Sequence, residues 1–218
     1  MSLAIFDLDN TLLAGDSDYL WGQHLITLGV VDADLYERAN DRFYQDYKQG
    51  QLDIMAFLKF ALKPLSQHST STLQGWREDF LRERIRPIAL PAAHALVDKH
   101  REAGDTLLII TATNRFITGP IAELFGIDNL IATDPEKIDG KYTGKITGTP
   151  CFQHGKVERL QHWLDQHQQS LDDSWFYSDS INDLALLEQV SHPVAVDPDE
   201  RLRAHAITAN WSVISLRE

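Results

Sequence analysis

Asp7 and Asp9 stand two residues apart at the end of the apolar run Ala4-Ile5-Phe6, near the start of a chain of 218 residues. In extended backbone, residues so spaced point the same way, and two carboxylates held side by side are costly unless a cation or a shared proton relieves them. A divalent cation is the simplest relief. A second pair of acids, Asp179 and Asp183, follows another apolar run, Phe176-Tyr177-Ser178. All-oxygen ligation of this kind suits Mg2+, which keeps several waters and binds through a few carboxylates together with a substrate phosphate. The candidate metal residues are therefore Asp7, Asp9, Asp179 and Asp183.

Such a set can move a phosphoryl group. A carboxylate can attack phosphorus and form an aspartyl phosphate, which splits one hard displacement into two easier ones. A second acid then protonates the leaving alcohol and later takes a proton from water. The hydroxyl of Thr111, the amides that follow it from Ala112 onward, and the ammonium of Lys156 can hold the phosphoryl oxygens as charge redistributes. Each residue taken singly has an ordinary alternative. Asp7 can cap a turn, Thr111 can be a buried hydroxyl bonded to backbone, Lys156 can be a solvated lysine at a helix start, and Asp183 can stabilise a helix N-terminus.

The elements that must position these groups alternate along the chain. Short buried strands are expected at 3 to 8, 106 to 111, 129 to 132, 175 to 178 and 193 to 196. Helical patterns lie between them at Pro91 to Ala103, Arg115 to Phe125 with Pro120 inside it, and Lys156 to His167. This pattern predicts an α/β fold, a Rossmann-like parallel sheet with helices on both faces. Ligands of such sheets collect at the carboxyl ends of the strands, where Asp7 and Asp179 fall. From about 14 to 88 the alternation stops, and helices are expected at Asp18 to Leu28, Asp34 to Lys48, Asp53 to Leu62 and Ser71 to Ile85. The expected organisation is a core domain of residues 1–13 and 89–218 with a helical cap domain of residues 14–88 inserted after the first strand. A small hairpin is expected after the third core strand, around Asp139-Gly140 and Gly144.

Asp7-Leu8-Asp9-Asn10-Thr11, Thr111, Lys156 and Asp179 with Asp183 follow one another in the order of the four motifs of the haloacid dehalogenase-like (HAD) hydrolase superfamily, which the chain resembles over essentially its whole length. The resemblance implies Asp7 as nucleophile, Asp9 as acid and base that also lends its backbone carbonyl to Mg2+, the fourth-motif acids as metal residues, and Asn182 as a substrate-binding residue. The retained second acid is similar to that of the phosphomonoesterases. The helical insertion resembles the cap of the subgroup that holds phosphoserine phosphatase and a histidinol-phosphate phosphatase branch. In that subgroup an acid shortly after the first motif binds the substrate amine, a place that Asp16 occupies here. The cap arginine that takes a substrate carboxylate is missing from the comparable stretch Met55-Ala56-Phe57-Leu58-Lys59-Phe60. An amine and a ring without a carboxylate fit both features, so the resemblance implies histidinol phosphate as substrate. Phosphoserine phosphatase, a phosphotransferase and a regulatory protein that binds a phosphorylated metabolite are the alternatives. The aromatics Trp21, Phe43, Tyr44, Tyr47 and Phe57 either line the pocket or pack the cap.

Composition narrows the partners. A formal charge of −12 argues against nucleic acid or an anionic membrane and for a small phosphate monoester drawn in by local charges. The lone Cys151 allows no internal disulfide and no cysteine-rich zinc site. With no signal peptide or membrane-length apolar run, the expected location is cytoplasmic. Of the nine histidines, His162 and His167 are five apart, off the spacing that shares a helix face, and no metal role is expected of them. The oligomeric state is open.

Overall fold

The computed structural model describes residues 2–217. The chain runs β1 (Leu3–Phe6), α1 (Ser17–Thr27), α2 (Ala33–Lys48), α3 (Ile54–Ala61), α4 (Lys63–Gln67) and α5 (Thr70–Phe80), the last continuing into a π turn, Leu81–Ile85. It returns through α6 (Pro91–Glu102), β2 (Thr106–Asn114), α7 (Arg115–Leu124), β3 (Asn129–Ile138) and β4 (Lys141–Thr147). It closes with α8 (His154–His167), β5 (Trp175–Ser178), α9 (Leu184–Leu187), β6 (His192–Val196), α10 (Glu200–Thr208) and β7 (Ser212–Ile214).

The strands form one seven-stranded sheet in the order β4-β3-β2-β1-β5-β6-β7. All neighbours are parallel except β3 and β4, the expected hairpin. The first strand is thus central, and its four residues are buried on both faces, which is why they read as an unbroken apolar run. Ala4 and Phe6 join the apolar cluster on one face, while Leu3 and Ile5 join the cluster on the other with Leu160, Leu164 and Phe176. The sequence reading missed β7, a three-residue edge strand with no fully buried position. It also ended β2 at Thr111, whereas the strand continues to Asn114.

The helical segment after β1 starts its helices on side-chain caps. Asp16, Asp32, Asp53 and Ser69 each accept from backbone N–H groups of the turn that follows, worth about 1 kcal/mol apiece. Its apolar side chains, among them Trp21, Leu25, Leu73 and Phe80, belong to the same cluster as Phe6 and Phe116 of the sheet and α7. Where the chain leaves and rejoins the sheet, Leu13 bridges Ala89 and the Ala14 N–H donates to the Ile88 carbonyl at 2.8 Å. Pro120 cannot donate to the carbonyl of Phe116 one turn back. The Arg77 guanidinium of α5 takes that carbonyl at 2.8 Å and lies over the Phe116 ring, so α5 is fastened to α7 at the proline. Among the described residues, no helix is long and apolar enough to cross a membrane.

Candidate active site

Asp7 follows directly on β1, and its N–H donates to the Tyr177 carbonyl of β5 at 2.9 Å. That bond holds the carboxylate at the carboxyl end of the central strands. The next residues turn sharply, with the N–H groups of Thr11, Leu12 and Leu13 converging on the Leu8 carbonyl and Asn10 in the left-handed region at φ 58°. The turn brings Asp9 against two elements at once. One carboxylate oxygen accepts the Ser17 N–H at 2.7 Å, and the other accepts the Thr113 hydroxyl at 2.8 Å.

Lys156 enters from the first turn of α8. Its ammonium lies 2.7 Å from Asp7 Oδ1 and 2.7 Å from Asp183 Oδ2, and the same Asp183 oxygen accepts the Ser178 hydroxyl at 2.8 Å. Burial alone would lower the lysine, but the charges of Asp183 and Asp7 outweigh it and keep Lys156 protonated. The approach of this lysine depends on backbone geometry. Gln153 sits at φ 48°, and a Cβ on Gly155 would fall 2.1 Å from the Pro150 carbonyl oxygen, so no other residue fits beside it.

The acids are crowded. Burial, then the charges of Asp183 and Asp9, raise Asp7 to about 7 against the pull of Lys156. Burial and the charge of Asp16 raise Asp9 to about 6. Asp179 is raised well above the ordinary carboxylate range by burial and by Asp7 and Asp183. Its N–H donates to the Thr11 hydroxyl at 3.1 Å, which ties it to the first loop.

Among the described residues, no three His, Cys, Asp or Glu side chains form a metal-holding group. The four expected metal residues, Asp7, Asp9, Asp179 and Asp183, stand close enough for their charges to act on one another. Both Asp9 oxygens are occupied by Ser17 and Thr113, and Asp183 Oδ2 is occupied by Lys156 and Ser178. Asp7, Asp179 and Asp183 each keep a second carboxylate oxygen without a protein partner among the described residues. One ammonium faces three buried or pocketed carboxylates, Asp7, Asp179 and Asp183, so an oxygen-ligated divalent cation fits the charge left over.

A pocket opens beside Asp7, at the carboxyl end of the sheet. Asp7, Asp9, Asp16 and Asp18 line it, together with Thr111 and Ala112, and no Lys, Arg or His is among its lining residues. Phe43, Tyr44, Tyr47 and Phe57 line it from the helical segment, whereas Trp21 is buried against Phe80 and Phe116 and packs the interior. Asp16 is also the N-cap of α1, with one oxygen on the Tyr19 N–H at 2.8 Å. Asn182, expected to bind substrate, stands outside the lining of this pocket. Its amide donates to the Tyr47 carbonyl at 3.0 Å and accepts from Gln153 at 3.2 Å, so it joins the helical segment to the core and does not line the pocket. Sequence reasoning missed Thr113 and Asp18. The first is a threonine in a strand, without a distinguishing spacing, and the second passes for an ordinary acid in a helix's first turn.

A family model described as haloacid dehalogenase-like hydrolase matches residues 4–188. The chain is 47% identical to a histidinol-phosphatase of Neisseria meningitidis over 220 aligned residues, covering 99% of each chain. A crystal structure of a protein of unknown function from Bordetella pertussis superposes with a TM-score of 0.93 at 45% identity, covering 99% of this chain and 98% of that one. A phospho-aspartyl intermediate analogue of phosphoserine phosphatase shares the fold, with a TM-score of 0.73 at 16% identity over 100% of this chain and 94% of its own.

Proposed function

The chain belongs to the haloacid dehalogenase-like hydrolase family, and from that premise we propose that this phosphatase hydrolyses histidinol phosphate through an aspartyl-phosphate intermediate. The observation that carries the choice of substrate is the pocket lining. Four carboxylates and no basic side chain face a ligand there, which favours an amine-bearing ester and disfavours one that also carries a carboxylate. The relative in Neisseria meningitidis supports the same choice.

In this reading Asp7 is the nucleophile. Lys156 holds its Oδ1, leaving the other oxygen to attack phosphorus. The P–O bond to the alcohol breaks, and Asp9 gives its proton to the departing oxygen. Its raised affinity for a proton, at about 6, supports that role. Asp9, now ionised, takes a proton from water as the water oxygen attacks the phosphoaspartate. Inorganic phosphate leaves and the Asp7 carboxylate is restored. Thr111 and the amide of Ala112 hold the phosphoryl oxygens, as both residues line the pocket beside Asp7. Mg2+ would be held by the Asp7 and Asp179 carboxylates and the Asp9 carbonyl, and would supply charge neutralisation at the phosphoryl group.

We assign residues 14–88 as a cap over the core of residues 1–13 and 89–218, with its hinges at the paired stretches near Leu13 to Gly15 and Arg86 to Leu90. Such a cap admits substrate when open and excludes water when closed. The lone Cys151, with no second cysteine for an internal disulfide, supports a cytoplasmic location.

Phosphate release from histidinol phosphate and phosphoserine, measured side by side with Mg2+ and no added acceptor, tests the reading. The expected result is a kcat/KM for histidinol phosphate at least about tenfold higher, because an unpaired substrate carboxylate among these acids is costly. A preference for phosphoserine overturns the substrate. A requirement for a second alcohol overturns hydrolysis.

A further inference from the structure

Strands β2 and β3 fall out of step near the pocket. Ile110 pairs with Ile131 and Asn114 with Thr133, so β2 advances four residues while β3 advances two. The excess forms a bulge of Thr111, Ala112 and Thr113, the stretch that lines the pocket beside Asp7. A bulge takes backbone groups out of the ladder, and each then needs another partner. The Ala112 carbonyl finds one in the hydroxyl of Thr133, which donates to it at 2.9 Å. The same hydroxyl oxygen accepts the Cys151 N–H at 3.0 Å. Thr133 is fully buried and stands outside the pocket lining.

One peptide plane carries the effect forward. A trans peptide sets its carbonyl and its N–H in opposite directions, so with the Ala112 carbonyl drawn to Thr133 the Thr113 N–H faces away from β3. It donates to the Thr111 hydroxyl at 3.2 Å. A hydroxyl that accepts on one side keeps its single hydrogen for another acceptor. Among the described residues no acceptor takes that hydrogen, and Thr111 lines the pocket. The hydrogen is thereby left for a phosphoryl oxygen. The next side chain, Thr113, gives its own hydroxyl to Asp9. On the other side of Thr133, Cys151 lies in the loop that leads to Gly155 and Lys156, and its thiol also rests on β3, 3.8 Å from the Ile131 carbonyl.

Resting on the aspartyl-phosphate reading, we infer that Thr133 is a positioning residue for phosphoryl transfer: its one buried hydroxyl fixes the bulge that aims Thr111 and ties that bulge to the loop that delivers Lys156. No covalent step is added. Without the hydroxyl, the Ala112 carbonyl and the Cys151 N–H lose their partner together, and the peptide that aligns Thr111 is free to turn.

Thr133→Val keeps the volume and removes both bonds, whereas Thr133→Ser keeps the hydroxyl. Both are compared with wild type on histidinol phosphate and 2-aminoethyl phosphate, below the Tm of each protein. Thr133→Val lowers kcat/KM about tenfold or more, by the same factor on both esters because their phosphoryl group is common, and weakens inhibition by orthovanadate about as far. Thr133→Ser stays within about threefold of wild type on both measures. A Thr133→Val variant that loses stability but keeps kcat/KM and vanadate inhibition marks a merely structural hydroxyl and overturns the inference. So does a Thr133→Ser variant as impaired as Thr133→Val, or a loss confined to one ester. Should Thr133→Val not fold, Thr133→Cys, which weakens both bonds at similar volume, is read against Thr133→Ser by the same criteria. A wild type that releases phosphate from neither ester fails the parent reading, and the inference with it, before any variant is made.

Discussion

The carboxylate of Asp9 accepts the hydroxyl of Thr113 at 2.8 Å, joining the loop after β1 to the end of β2 across 104 residues of sequence. The bond stabilises the ionised form of Asp9, the form needed to take a proton from water. It is one of several that oppose the raising effect of burial.

Thr113→Val removes that donor and keeps the volume. Asp9 then holds its proton to higher pH than its present value of about 6, and the limb of the pH profile that Asp9 governs moves upward. A loss of roughly tenfold in kcat is expected, since the hydroxyl bonds the acid directly. A steady-state pH profile of wild type and variant checks it. An unmoved limb removes the assignment of Asp9 as the titrating acid.

Metal binding and protons compete for Asp7, raised to about 7 by burial and by Asp183 and Asp9. A carboxyl raised on folding favours the native state at low pH, and that contribution is lost as pH climbs through the folded value. The metal-free protein is therefore less stable from this source at about pH 8 than at about pH 5. Added Mg2+ raises Tm more at the higher pH, where the oxygens are free. Thermal melts with MgCl2 and with chelator read the difference, and equal shifts at both pH values count against metal binding at Asp7.

Gly155→Ala places a methyl 2.1 Å from the Pro150 carbonyl oxygen, a contact with backbone that cannot rotate away. The start of α8 must shift, at a cost of roughly 1–3 kcal/mol. Lys156 is the next residue, so activity falls by more than about tenfold even at temperatures where the variant is folded. Comparison of Tm and kcat separates the two effects. Full activity would mean that the lysine tolerates displacement.

Asp134 on β3 binds both Arg115 of α7 and Arg159 of α8. Burial would raise its carboxyl, but those hydrogen bonds outweigh burial and hold it below the usual range. Its stabilisation is present above the unfolded carboxyl value and is lost as pH falls through the depressed one. Asp134→Asn should cost roughly 1 kcal/mol or less at neutral pH, because the carboxylate is partly exposed. The gap in stability between variant and wild type closes under acid conditions. A denaturation series across pH shows whether it does.

What could be read in advance follows from how local each feature is. Asp7 and Asp9 announce themselves because their spacing and the apolar run before them lie within a few residues. The parallel strands were legible because a strand buried on both faces leaves an unbroken apolar run, as Leu3–Phe6 does. Thr113 gains its meaning only when β2 is laid beside β1, an arrangement set by long-range pairing. The contacts of Asn182 were hidden for a similar reason. Its place beside Asp183 suggests the pocket, but the carbonyl of Tyr47 arrives from the other end of the chain and takes its amide. The aromatics divide in the same way, Trp21 into the interior and Phe43 into the pocket wall.

The apolar cluster that holds Phe6 also takes in Trp21 and Phe80, so the helices after β1 share part of their interior with the sheet. Cut free, that segment would expose one side of its packing to water and would not hold its shape; grafted from a relative, it would meet a sheet with the wrong contour. Redesign of this phosphatase toward another metabolite is therefore a matter of exchanging single side chains on α1, α2 and α3, with the scaffold beneath left intact.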